Sequence, residues 1–421
     1  MDYLKIWLFF LFIGVTAMGM FAHRHVWICN PVVGFLFFNC IMGVGILPLL
    51  DLDLEADLVH SLIVIFSPVP VAIGSLLVVR STGMMSRHRF FWTQREVRDP
   101  IIVERYAWLA LLFSGVVTVL YYQAVGYNLA IVLLKGGVAD FTALRLQSYA
   151  GDTYFAPGYV NQFKNTILPV TFFYLSLRSK GRWWRFPFVL LGSIFLLYAL
   201  LGTGQRTFLV IALLMLVSCL IAYRRGKISI RHIMLPAAAT IALFLLVSVQ
   251  LGRVTTGGFW GGVEVLAHRV FASNQWSAVV GFRYVYREDV VLGQEWAKSV
   301  AGLLPGVKGS DLARQVHYIM FGSDRGTAPL SVWGSIYYNF GLLGVLYIGI
   351  LIGATYQTIY MIFLNGSFGL FRVLCYAALF LYLSIWIAGG PVQLLNNGIA
   401  AVAALLLMRR IRLGKSRTAH A

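Results

Sequence analysis

The chain has 421 residues, of which 59% are hydrophobic, 15% aromatic and only 12% charged. This composition excludes a soluble globular domain, since such domains carry about 25% charged residues on a polar surface. The net charge of +18 does not indicate a nucleic-acid-binding protein, because the basic residues are dispersed through short segments between apolar runs. The sequence therefore predicts an all-α integral membrane protein, a polytopic bundle of helices.

Eleven apolar runs are long enough to be read as bilayer spans, which take about 20 apolar residues each. We expect the first run to stay as a helix, because no small-residue cleavage site follows it. The whole chain, 1–421, is then a single polytopic membrane domain. The predicted spans are 5–22, 27–50, 59–79, 106–124, 163–177, 186–203, 207–223, 233–250, 341–363, 373–390 and 394–410.

Basic residues between the runs predict the orientation of the bundle. Short loops rich in Arg and Lys stay on the cytoplasmic side of a membrane. This rule places the C-terminus in the cytoplasm, and it places Met1 and the acidic stretch 51–57 outside. The basic residues concerned are Arg80, Arg87, Arg89, Arg95, Arg98, Arg105, Arg178, Lys180, Arg182, Arg185, Arg224, Arg225, Lys227, Arg231, Arg409, Arg410 and Arg412.

Two segments, 125–162 and 251–340, are too irregular to span, and both are predicted to be external loops. Between 252 and 328, the larger loop has eight basic and six acidic residues. One interpretation is a solvated cap whose charges pair with one another. The other is an anion site, because the planar guanidinium group binds phosphate oxygens in a bidentate manner.

Smaller features also have alternative interpretations. The turn 202–207 places Arg206 near the outer interface, where it either reaches lipid headgroups or faces a polar cavity. Asp51 and Asp53 could hold a divalent cation or accept a proton, although an ordinary acidic loop is the simpler interpretation. Trp333 and Tyr337 could belong to an interfacial aromatic belt. The four cysteines lie inside predicted spans without metal-site spacing, so no metal site is predicted.

Three motifs carry a family resemblance. Gly204-Gln205-Arg206-Thr207 opens a span, Arg145 is followed by glycines, and Asn339-Phe340-Gly341-Leu342-Leu343-Gly344 follows the long external loop and an aromatic approach. In these features and in layout, the chain resembles the Wzy-type O-antigen, or oligosaccharide repeat-unit, polymerases, which are related to the O-antigen ligases. The ligases carry a His-Asn pair before Gly-Leu-Leu-Gly. Here the segment 327–331 has no histidine, which counts against a ligase and leaves the catalytic base open.

The resemblance implies a GT-C-like architecture in the bacterial cytoplasmic (inner) membrane, with the active face external. It implies glycosyl transfer from an undecaprenyl-diphosphate-linked oligosaccharide to a sugar hydroxyl of the next lipid-linked repeat unit. No cofactor is expected, and the partners are the lipid-linked substrate, the bilayer and, optionally, a chain-length regulator. Fixed guanidinium groups would stabilise the leaving diphosphate in place of a metal.

The candidate residues follow from this chemistry. Arg145, Arg269 and Arg206 are the predicted catalytic cations, and His268, Asp140 and Glu264 are candidate bases chosen by location. Arg269 is followed closely by a run that can hydrogen-bond to and stack on sugar. The predicted substrate-binding residues are Arg253, Arg325, Asn274, Gln275, Trp276, Trp333, Tyr337 and Tyr338.

Two other functional classes share the helix count. A flippase or exporter for lipid-linked oligosaccharides would place its polar residues near the bilayer midplane on broken helices, whereas the predicted spans here are almost free of charge and the polar mass is external. A sensor or structural membrane protein gives no reason for scattered external arginines. An O-antigen ligase-like glycosyltransferase is the alternative within the same chemistry.

Overall fold

In the computed structural model of the chain, helices joined by turns and loops make up the described residues, with a single isolated β-bridge between Ser331 and Ala388 and no strand among them. The described residues are 2–26, 28–94, 96–135, 144, 157–204, 207–224, 260–261, 264, 267–268, 271–272, 274–304, 306–323 and 326–413.

The chain divides into two compact units, each assembled from separate parts of the sequence. Unit 1 comprises 1–91, 254–366 and 383–394, and unit 2 comprises 92–253, 367–382 and 395–421. The helices in the first 135 residues are α1 Asp2–Phe21, α2 Pro31–Ile46, α3 Glu55–Phe66, α4 Pro68–Ser81, α5 Met84–Thr93, α6 Ile101–Val125 and α7 Leu129–Leu134.

The remaining helices follow in chain order. They are α8 Pro157–Gln162, α9 Leu168–Arg178, α10 Arg185–Leu201, α11 Thr207–Tyr223, α12 Asn274–Val285, α13 Gln294–Ala301, α14 Leu312–Phe321, α15 Val332–Leu364, α16 Leu370–Ser384 and α17 Ala400–Leu413. A 3₁₀ turn at Leu47–Leu49 extends α2, a helical turn lies at Val392–Leu394, and π-helical segments occupy Phe163–Ile167 and Leu395–Ile399.

Five helical stretches among the described residues are long and apolar enough to cross a membrane. They are Tyr3–Phe21, Pro31–Leu49, Glu55–Ser81, Ile101–Val125 and Val332–Leu364. The helical, membrane-type architecture predicted from composition is therefore confirmed at this level. Helices also occupy the other predicted ranges, except 233–250, which lies outside the described residues. The count of eleven spans and the GT-C-like arrangement stay predictions.

Glycines let two helices of unit 1 approach each other with backbone in contact. A Cβ atom on Gly74 of α4 would overlap the carbonyl oxygen of Ile350 in α15, and one on Gly353 would overlap the carbonyl oxygen of Val71. Close crossings of this kind are typical of membrane helices, because van der Waals contact has to replace the hydrophobic effect there.

A buried polar network lies beside this crossing. Gln357 of α15 accepts hydrogen bonds at Oε1 from Ser75 Oγ at 3.0 Å and from Asn30 Nδ2 at 3.2 Å. Ser75 Oγ also lies 2.5 Å from His23 Nε2. Burial lowers the pKa of His23, which follows α1, so the neutral ring is favoured. The network satisfies polar groups that would otherwise be costly to bury.

The glycine crossing generates a stability prediction. We expect Gly74→Ala to destabilise the purified protein by about 1–3 kcal/mol, because the added methyl group has to displace backbone atoms of α15. Thermal unfolding in detergent measures the effect. Gly14→Ala in α1 is the matched control, since a Cβ there has no atom within 4 Å. Equal melting temperatures for the two variants would contradict the packing.

Candidate functional site

A buried ion pair holds the short helices between residues 274 and 323 against the long apolar helices of unit 1. These residues belong to the loop that is predicted from the sequence to be external, and we call them the external segment. Asp57 lies in the first turn of α3 and is fully buried, while Arg283 lies in the last turn of α12. The guanidinium donates to both carboxylate oxygens, from Nε at 2.8 Å and from Nη2 at 2.6 Å. The hydrogen bond with Asp57 raises the pKa of Arg283. The pair joins residues 226 positions apart and fixes α12 on α3.

Backbone groups complete the environment of the carboxylate. The amide of Asp51 donates to Asp57 Oδ2 at 2.6 Å, and the amide of Asp53 donates to Asp51 Oδ1 at 3.2 Å. An acidic side chain in a first helical turn also interacts favourably with the helix dipole. The acidic stretch 51–57 is therefore an ordered turn that supports the ion pair.

Aromatic rings extend the contact from α3 through α12 to α15. His60 stacks on Phe282 at a centroid distance of 4.3 Å and an interplanar angle of 9°. Phe282 contacts Tyr337 of α15 at 5.0 Å, and Tyr337 stacks with Tyr286 at 6.2 Å. The guanidinium of Arg283 lies 5.7 Å from the ring of Trp276. Rigid rings fix three helices in one arrangement.

One side of this assembly is polar and accessible. Glu55 is exposed, and its hydrogen bond with Tyr286 raises the pKa of the Tyr286 hydroxyl. Trp276 is 40% exposed. The carboxylate and the phenol oxygen can accept hydrogen bonds from sugar hydroxyls, and the indole ring can contact sugar C–H groups. We call this surface the Asp57 platform, defined by Glu55, Asp57, Trp276, Arg283, Tyr286 and Tyr337.

A kink in α15 organises the next part of the external segment. Gly341 has φ 67° and ψ −166°, a conformation that L residues with a side chain rarely adopt. The carbonyl groups of Tyr338 and Asn339 accept hydrogen bonds from the amides of Val291 and Gly293, both at 3.1 Å. The kink thus allows α15 to bind the loop that precedes α13.

The Asn339 side chain holds α13 in place. Its Nδ2 donates to Glu295 Oε2 at 3.0 Å, and its Oδ1 accepts from the Trp296 amide at 3.3 Å. The Trp296 indole donates to Ser335 Oγ at 2.9 Å and packs edge-on against Phe340. The Asn339-Phe340-Gly341 motif therefore has a structural role, since each of its three residues joins α15 to the external segment.

Several predicted site residues cannot be placed. Arg145, Arg206, Arg269, Asp140, Arg253 and Arg325 lie outside the described residues. Their predicted roles stay predictions.

Among the described candidates, Glu264 and His268 are both exposed. Gln275 is buried and lies against Gly45 of α2, where a Cβ atom would overlap the Phe271 carbonyl oxygen. Asn274 is the first residue of α12. The run 274–276 therefore starts a helix that packs on α2 and offers the Trp276 ring to the surface.

The aromatic residues that precede the predicted span 341–363 differ in burial. Trp333 is fully buried, with its indole donating to Asn39 Oδ1 at 2.6 Å and its ring edge-on to Phe35. Its burial makes Trp333 a packing residue of unit 1 rather than a residue at a lipid or solvent boundary. Tyr337 and Tyr338 are half-buried.

Residues missed by the sequence analysis include Asp57 and Arg283 as a pair, Tyr286, and Lys164 in unit 2. Lys164 lies inside the predicted span 163–177, and a charge in an apolar run is a recognised signal of function. The pairing of Asp57 with Arg283 had no sequence signal. Within the described ranges, no group of three or more His, Cys, Asp or Glu side chains could hold a metal ion.

The ion pair generates a second prediction. We expect Arg283→Met to lower the free energy of unfolding by about 3 kcal/mol, because it leaves the Asp57 carboxylate buried without its cation. Chemical denaturation in detergent measures this change. Arg287→Met, which alters an exposed arginine just after α12, is the control and should change stability by less than about 0.5 kcal/mol. Similar losses in both variants would contradict the role of the pair.

No family model, no curated protein and no solved structure matches this chain.

Proposed function

We propose that the chain is a polysaccharide polymerase that joins lipid-linked oligosaccharide repeat units on the external face of the bacterial cytoplasmic membrane. The donor is a glycan on polyprenyl diphosphate, and the acceptor is a sugar hydroxyl of the next lipid-linked unit. The class of product is an O-antigen or a related surface polysaccharide.

The observation that supports this proposal is the fixed polar layer on the apolar helices of unit 1. The Asp57 platform and the Asn339 contacts hold α12 and α13 on α3 and α15 through hydrogen bonds and a buried ion pair. Enzymes that act on saccharides need their aromatic and carboxylate groups held in a fixed geometry. A layer of this kind supports chemistry beside the membrane better than it supports passage through it.

The reaction requires charge stabilisation more than it requires a cofactor. The bond between the anomeric carbon and the diphosphate oxygen breaks, and a bond from that carbon to the acceptor oxygen forms. The acceptor proton passes to a base, for which Glu264, His268 and Asp140 are the candidates. Arg145, Arg206 and Arg269 stabilise the charge that develops on the leaving diphosphate.

The accessible part of the Asp57 platform supplies an acceptor-binding surface in this scheme. Trp276 offers an exposed ring face, and Glu55 together with Tyr286 offers hydrogen-bonding groups. The guanidinium of Arg283 is hydrogen-bonded to Asp57, so it is not free to bind phosphate. It also lies over the ring of Trp276 and so positions the indole.

The proposal predicts the glycan phenotype of single variants. In a strain lacking the gene, a plasmid copy carrying Arg145→Ala or Arg269→Ala should leave single repeat units on the lipid acceptor and no long chains. The physical reason is the loss of transition-state charge stabilisation, which typically slows such reactions about 10²–10³-fold. Gel profiles of the glycans, with immunoblots for protein level, measure the outcome.

Matched control variants distinguish the loss of a catalytic arginine from a general structural effect of removing an arginine from the external loop. Arg287→Ala and Arg314→Ala remove exposed arginines of the same segment, one of them paired at the surface with Asp311 at 3.8 Å. Both should restore long chains. Full-length chains from the Arg145 and Arg269 variants would contradict the assignment of these residues, and an unchanged profile in the strain without the gene would contradict the function itself.

A further inference from the structure

Unit 2 contains a buried cation that the proposed chemistry does not yet use. Lys164 is fully buried, and its ammonium group has no hydrogen bond to any described residue. It lies 4.8 Å from the ring centroid of Tyr121 and 5.4 Å from that of Tyr122. The ion pairs found in the described part of the chain do not include it. Aromatic faces attract a cation but leave its hydrogen-bonding capacity unused.

The backbone around Lys164 is unusual and firmly held. Lys164 belongs to the π-helical segment Phe163–Ile167, and single π-helical turns occur frequently at functional sites. The hydroxyl of Thr166, two residues later, lies 2.7 Å from that of Tyr382. Before the segment, Gln162 donates from Nε2 to the carbonyl oxygens of Leu395 and Asn396 at 2.7 and 2.8 Å. The position of Lys164 is therefore fixed from both sides.

An apolar groove of about 580 Å³ lies between α6, α9 and α10 of the same unit. Its lining residues on α6 run from Leu111 to Gln123, a distance of about 18 Å along a helix. Gln123 is the one polar side chain among the residues that line it, and it stands at one end. The volume lies within the range of known ligand pockets, and the long shape suits a hydrocarbon chain.

Lys164 is not among the residues that line the groove, but it contacts α6 at the level of the groove's polar end, through the rings of Tyr121 and Tyr122. Gln123 follows Tyr122 directly, and Leu168, which also lines the groove, comes one helical turn after Lys164. The charge pattern assigns this end of α6 to the external side of the membrane. The flexible four-carbon side chain of lysine can carry its ammonium group from the tyrosine rings to an anion at this end.

Two chain segments that lead to predicted catalytic arginines are held at the same end of unit 2. Tyr127 donates to the carbonyl oxygen of Leu144 at 2.7 Å, and Arg145 is the next residue in the sequence. The amide of Leu129 donates to the carbonyl oxygen of Gly202 at 2.8 Å, in the turn that precedes Arg206.

We infer that the groove and Lys164 form a binding site for a lipid with one long apolar chain and a phosphorylated head. The chain occupies the groove along α6, and the ammonium group of Lys164 binds a phosphate oxygen at its outer end. The choice of a polyprenyl diphosphate as this lipid rests on the proposed function. Lys164 is then a substrate-binding residue in the unit that also holds Leu144 and Gly202, the described residues that precede the predicted catalytic Arg145 and Arg206 in the sequence.

Two variants test the two halves of the site. Lys164→Met keeps the length of the side chain and removes its charge. Gly115→Leu fills the groove, because a Cβ at Gly115 makes only ordinary contacts, at 3.8 Å or more, with Phe195. Gly14→Leu in α1 of unit 1 is the control for adding a leucine side chain to a membrane helix, since no atom lies within 4 Å of its Cβ position.

The measurement is the thermal stability of the purified full chain in detergent, titrated with undecaprenyl diphosphate. We expect the lipid to stabilise the unmodified protein and Gly14→Leu with the same apparent affinity. Lys164→Met and Gly115→Leu should each weaken that affinity by about tenfold or more. Lys164→Met loses one charged hydrogen bond to the phosphate, and Gly115→Leu fills the groove that binds the hydrocarbon chain. Lys164→Met without lipid should be at least as stable as the unmodified protein, because it removes an unpaired buried charge.

Other outcomes would overturn the inference. Equal stabilisation of both variants and the unmodified protein would remove the site. Equal stabilisation by dioleoylphosphatidylglycerol would show an ordinary lipid groove, and equal stabilisation by inorganic pyrophosphate would show that the groove plays no part.

The glycan profile separates this inference from the proposed function. If deletion of the gene leaves long glycans intact while Lys164→Met still loses the lipid, the function fails and the site stands. If deletion abolishes long chains but Lys164→Met restores them and binds the lipid normally, the site fails and the function stands.

Discussion

The interior of a bilayer offers no hydrogen-bond partner, and this constraint determines how the chain is built. Helices satisfy the backbone, and glycines at 74 and 353 let two of them meet with backbone in contact. Some buried polar side chains of unit 1 are paired with one another, as in the network around Gln357. Others have no hydrogen-bond partner among the described residues, such as both ring nitrogens of His60 in unit 1 and the ammonium nitrogen of Lys164 in unit 2. Lys164 differs from the rest in being a lysine, whose burial without an anion is the most costly, and this calls for a ligand.

The same constraint gives the external segment its form. Its helices are short, so their position depends on a few strong interactions with the membrane helices below. Arg283 provides one through the buried Asp57, and Asn339 provides another at the point where Gly341 interrupts α15. These contacts convert a loop into a fixed polar layer. Fixed geometry is what a glycosyl transfer needs, because the acceptor oxygen and the anomeric carbon have to be held at reacting distance while the diphosphate leaves.

Every span predicted from hydrophobic run length that lies within the described residues contains helix in the structure. The prediction works because the signal for a membrane helix is local in the sequence. The predicted span 59–79 lies within one helical stretch, Glu55–Ser81, in which Ser67 keeps right-handed helical dihedral angles just before Pro68. The pairing of Asp57 with Arg283 was missed, because a contact across 226 residues leaves no trace in a single sequence.

The Asn339-Phe340-Gly341 motif could be recognised in the sequence, but its structural role could not. That role depends on the positive φ of Gly341, which leaves the carbonyl groups of Tyr338 and Asn339 free to accept hydrogen bonds from another segment.

The central proposal is that this chain lengthens a lipid-linked glycan. The most direct test is reconstitution of the purified full chain in liposomes with one labelled lipid-linked repeat unit, followed by separation of the products by length. The account predicts a ladder of products that differ by whole repeat units, formed without added metal and with release of polyprenyl diphosphate. Recovery of the single repeat unit unchanged would contradict it, and so would movement of that unit across the bilayer without any increase in length.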